Sequence, residues 1–82
     1  MSQKQKLIAA IRNNPADVRF DDACKVAGWL GYVPGNAGGG SHVAYARPGD
    51  PEGLNFQDRS GMIKPYQARQ LIRAIDKYED EL

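Results

Sequence analysis

His42 is the only histidine in the chain, and it follows Gly40 and Ser41 at the end of a stretch with four glycines, Gly35, Gly38, Gly39 and Gly40. An imidazole moves protons near neutral pH, and glycines let a backbone come close to a phosphate. The chemistry within reach of that pairing is proton transfer at a phosphodiester. Taken alone, a single histidine is more often a structural residue bordering a sheet. Gly35 and Gly40-Ser41 have the spacing of a nucleotide phosphate loop, but the lysine is absent and no helix pattern follows. A triphosphate site is therefore not expected. One His and one Cys without clustered carboxylates beside them give no metal site, so no metal or other cofactor is expected.

The cations are the second set of candidates. Arg69, Arg73 and Lys77 recur four apart, which places them on one side of a helix, with Tyr66 beside them. Such a row is usually a solvated face; near His42 it becomes a track for phosphates, which Arg47, Arg59 and Lys64 would extend. Tyr45 and Tyr66 have rings that could stack on bases, although Tyr45 shares a strand face with Val43 and is equally a core residue. The net charge is only +1, from 11 Lys+Arg against 10 Asp+Glu. The arrangement is less neutral than the sum. Asp76, Glu79, Asp80 and Glu81 crowd the C-terminus, while Arg59, Lys64, Arg69 and Arg73 precede them, so a locally positive surface is open to the fold.

The elements that must position these groups follow from periodicity. Residues 2–13 read as a helix capped by Ser2, with Leu7, Ile8 and Ile11 on one side and Asn13-Asn14-Pro15 as the stop. A second helix is predicted over 20–27, with Asp21 and Asp22 in its first turn and Gly28 in the C′ position. Trp29–Val33 reads as a first strand, and His42–Arg47 as a second, alternating Val43 and Tyr45 against His42, Ala44 and Ala46. Pro48–Gly53 is a turn and Leu54–Gln57 a third strand. Pro65 opens a final helix in its favoured first position, with Ala68, Leu71, Ile72, Ile75 and Tyr78 along one side. Tight turns imply an antiparallel meander covered on one face by helices, an α+β fold.

With 82 residues and 41% apolar content the chain is one globular domain, with 1–15 as an N-terminal helical extension and 16–78 as the core. Cys24, the lone cysteine, excludes an internal disulfide, fits a reducing compartment, and reads as a small buried thiol. No apolar run reaches a membrane-spanning length and no secretory segment opens the chain, so the expected location is the cytoplasm, with no membrane partner.

Taken in order, Ala27-Gly28-Trp29, Gly40-Ser41-His42, Arg47-Pro48-Gly49, Leu54-Asn55-Phe56-Gln57 and Lys64-Pro65-Tyr66-Gln67-Ala68-Arg69-Gln70-Leu71 resemble the HicA toxin family over residues 16–76. The connection from Gly28 to Gly40 is longer than in many members, and Asn36–Gly39 carry no basic residue. The resemblance implies a fold like a double-stranded-RNA-binding domain, α-β-β-β-α, here with an additional N-terminal helix. It also implies a metal-independent endoribonuclease that cleaves mRNA and is neutralised by a HicB-like antitoxin. His42 then takes the place of the catalytic histidine, with Gly40 and Ser41 shaping its loop and Lys64, Tyr66, Arg69 and Arg73 holding RNA. Two other functions use the same scaffold: an RNA-binding module without catalysis, and a protein-interaction domain.

Overall fold

A computed structural model describes residues 3–35 and 42–82. Among these, the order is α1 (Gln3–Asn13), α2 (Phe20–Trp29), β1 (Val33–Pro34), β2 (His42–Ala46), β3 (Leu54–Gln57), α3 (Pro65–Tyr78) and a 3-10 turn (Glu79–Glu81). The strands form one antiparallel sheet in the order β1-β2-β3, so the expected α+β class with a three-stranded meander is what the chain adopts. Ser2, the expected cap of the first helix, lies outside the described residues.

The sheet register follows the alternation in the sequence. Val43 pairs with Phe56 and Tyr45 with Leu54, and these four side chains face the helices. His42 pairs with Gln57 and Ala44 with Asn55, so these alternate onto the other face. Phe56 is fully buried with Leu71, Ile75, Ala68, Val26 and Ala27, which makes β3 the strand on which α2 and α3 converge. Ile8 and Ile11 of α1 join the same core, so the N-terminal helix is part of the packed body.

Two sequence boundaries are corrected. The second helix does not stop at Ala27 with Gly28 as its C′ residue; it runs through Gly28 and Trp29. Its end is a Schellman motif one turn later, in which the Tyr32 N–H donates to the Ala27 carbonyl and the Gly31 N–H to that of Gly28. Gly31 is the residue with positive φ, at 92°, a conformation costly for any side chain with a Cβ. Continuing the helix buries Leu30 and Tyr32. The first strand is consequently not Trp29–Val33 but only Val33–Pro34. Cys24 is likewise half-buried rather than buried, its thiol hydrogen-bonded with the Tyr45 hydroxyl.

The turns obey their residues. Between β2 and β3 the Asp50 N–H donates to the Arg47 carbonyl across Pro48 and Gly49, with Gly49 at φ 86° as a type II turn requires. After β3, Arg59 and Met62 exchange both backbone hydrogen bonds around Ser60 and Gly61, at φ 53° and 88°, the type I′ geometry of a two-residue hairpin. Met62 also bridges to Arg19, which sutures this hairpin to the start of α2. No helix among the described residues is long and apolar enough to cross a membrane.

Candidate nucleic-acid interface

β2 begins at His42, whose side chain is exposed and makes no hydrogen bond or ion pair among the described residues. Gly40 and Ser41, the expected loop support, lie outside the described residues. Directly across from His42 stands Gln57, the last residue of β3. The Gln57 N–H donates to the Gln67 Oε1 at 3.0 Å, and the same oxygen accepts from the Lys64 N–H at 3.1 Å. Gln67 Nε2 in turn donates to the Tyr66 hydroxyl at 3.4 Å. The end of the sheet that carries His42 is thus tied to the start of α3, where Lys64 and Tyr66 sit.

Tyr66 is half exposed, at 50%, and the Lys64 Nζ lies 6.0 Å from its ring centroid, at the outer limit of a cation–π contact. A flat aromatic face and an ammonium at the start of α3 can receive a base and a phosphate, and an exposed imidazole at the adjoining strand end, on the outer face of the sheet, can receive a proton. Arg69 and Arg73 follow on the exposed side of α3, and neither forms an ion pair among the described residues. Their distances from His42 differ. Arg73 borders a small cavity with Glu52, Gly53 and Leu54, at the opposite end of β3 from Gln57. Three residue steps along β3 separate those ends, roughly 10 Å.

Three candidates of the sequence reading do other work. Lys77, the last of the basic row, is bound to Glu52 at 2.8 Å and lies 3.8 Å from Asp50. Arg47 donates from Nε to the Leu30 carbonyl at 2.9 Å, pairs with Glu81 at 2.8 Å, and stacks 3.7 Å from the Tyr78 ring centroid. It closes the end of α2 and carries no free charge. Tyr45 packs its ring against Phe56 at 5.7 Å on the helix side of the sheet, where burial and the bond with Cys24 push its hydroxyl up to about 12. It is a half-buried residue packed against the core.

Sequence reasoning missed Gln67 and Gln57. The signal for Gln67 was present: a Gln three residues after the residue preceding a helix is the acceptor half of a capping box, here with Lys64 in the first place. It also missed Arg19, which the bridges place on the other side of Met62 from Arg59. A cavity of about 480 Å³ lies elsewhere, between α1 and the C-terminal turn, and none of its lining residues comes from the sheet or the start of α3. Lys4, Ile8, Arg12, Glu79, Asp80 and Leu82 are among its lining residues, and Arg12 and Glu79 are paired with each other there. No protein-family model, curated protein or solved structure matches this chain.

Proposed function

We propose that the chain is a HicA-like mRNA interferase toxin, a metal-independent endoribonuclease of the cytoplasm with His42 as its general acid/base. The observation that carries the reading is that the strand end bearing an exposed imidazole is tied to the helix start bearing Lys64 and Tyr66, through the His42–Gln57 backbone pair and the Gln67 bonds. The antiparallel meander packed on α2 and α3, with α1 added outside the α-β-β-β-α run, supports likeness to a double-stranded-RNA-binding domain.

In this mechanism neutral His42 takes the proton of a ribose 2′-hydroxyl. The 2′ oxygen attacks the adjacent phosphorus, and the bond from phosphorus to the 5′ oxygen breaks. The leaving oxygen takes a proton from the imidazolium now at His42 or from the Lys64 ammonium. The products are a 2′,3′-cyclic phosphate and a 5′-hydroxyl. A positioned proton-transfer group contributes typically about 10²–10⁴-fold to such a reaction. Tyr66 stacks on an unpaired base, and Arg69 and Arg73 hold the backbone as it leaves the cleavage point along α3, adding affinity more than sequence choice. A HicB-like antitoxin neutralises the toxin by covering the His42 end.

Incubation of a single-stranded RNA with the purified protein in excess EDTA tests the reading. Fragments ending in cyclic phosphate and 5′-hydroxyl are expected. Retention of intact RNA would identify a binding module without catalysis, and no retention at low salt a protein-interaction domain. An antitoxin complex that left His42 open and cleavage undiminished would refute the proposed inhibition.

A further inference from the structure

We infer that Gln67 is a positioning residue for the reaction, setting the spacing between the strand end that carries His42 and the helix start that carries Lys64 and Tyr66; this rests on the function proposed above. Gln67 is 1% exposed, the one buried polar residue among the described residues. A buried amide is costly unless its hydrogen bonds are made. Here one oxygen accepts two backbone N–H groups from different elements, Gln57 in the sheet and Lys64 before α3. The amide nitrogen reaches the Tyr66 hydroxyl. Gln57 is the partner of His42 in the register. A single rigid side chain therefore spans from the residue opposite the imidazole to both groups proposed to meet the RNA. An apolar residue would cap nothing and leave two part-buried N–H groups without this acceptor.

Three variants separate positioning from mere support. Gln67→Met keeps length and removes the acceptor; Gln67→Glu keeps the acceptor. Cleavage is measured at a temperature where circular dichroism shows each variant folded, with kcat and KM resolved. Gln67→Met is expected to lose on the order of 10–100-fold in kcat with KM changed less than about twofold, because a displacement near 1 Å has that scale of effect. Gln67→Glu is expected to recover to within about threefold of the parent, since both N–H groups regain an acceptor. If Gln67→Met does not fold, Gln67→Asn takes its place, with the amide drawn back by one methylene and the same loss expected. A folded variant without the acceptor that keeps the parental kcat overturns the inference alone. Equal losses in Gln67→Met and Gln67→Glu also overturn it. A parent protein that does not cleave RNA overturns the proposed function, and the inference falls with it.

Discussion

The two ends of the sheet treat charge in opposite ways. At the β2–β3 turn, the Asp50 carboxylate accepts from the Tyr32 hydroxyl at 2.7 Å, the Tyr78 hydroxyl at 2.9 Å and the Glu52 N–H at 2.9 Å. Lys77 and Arg47 surround that cluster with their own acidic partners. At the other end, His42, Lys64 and Arg69 meet no carboxylate within ion-pair distance among the described residues. The acidic C-terminus accounts for the contrast: Asp76 and Glu79 bind Arg12 and Glu81 binds Arg47. Cations beside those carboxylates hold the fold together, and cations beyond their reach remain available to a phosphate. A net charge of +1 conceals this segregation.

The contrast breaks most visibly through the core that both ends share. Phe56→Ala should cost about 3–5 kcal/mol, the range for a buried aromatic, and abolish order at both ends; urea unfolding monitored by circular dichroism reads it. Asp50→Ala comes next. It strands the Tyr32 and Tyr78 hydroxyls and should lower the melting temperature well beyond any change at Lys64, while the folded fraction handles RNA as before.

Titration sharpens the same division. The tyrosine hydroxyls and the Glu52 N–H hold the Asp50 carboxyl down to about 2. A lowered folded-state value means that its stabilisation is complete above the ordinary aspartate value of about 3.9 and is lost as pH falls toward 2. Burial and the bond to Asp50 raise Tyr32, so its contribution is complete below the ordinary tyrosine value of about 10 and is lost above it. The stability difference between the parent and Asp50→Asn should therefore shrink between about pH 4 and 2; a constant difference would count against the cluster.

Smaller effects distinguish the cations. Lys64→Ala and Arg69→Ala should each reduce the slope of log affinity against log salt by about 0.7–0.9 for RNA, while Arg12→Ala should leave it unchanged. Arg12→Ala should cost at most about 1 kcal/mol of stability, as its bonds to Asp76 and Glu79 are on the surface.

The sequence made some of this legible and not the rest, for physical reasons. Alternation over His42–Ala46 and Pro65 at a helix start are local signals, and both elements lie where those signals put them. The end of α2 was misplaced because Gly28 looks like a helix stop, whereas the stop is Gly31, whose backbone geometry matters only once Leu30 and Tyr32 are buried. Arg47 and Lys77 read as free cations because their acidic partners, Glu81 and Glu52, lie 34 and 25 residues away along the chain. Gln67 carried no role in the sequence reading, since its value depends on two N–H groups that only folding brings together.

The central claim is that the His42 imidazole performs the cleavage. Single-turnover cleavage of a single-stranded RNA by the parent and by His42→Ala, with circular dichroism confirming that both are folded, tests it directly. The variant is expected still to bind RNA but to cut it about 10²–10⁴-fold more slowly. A folded His42→Ala protein that cuts at the parental rate would contradict it.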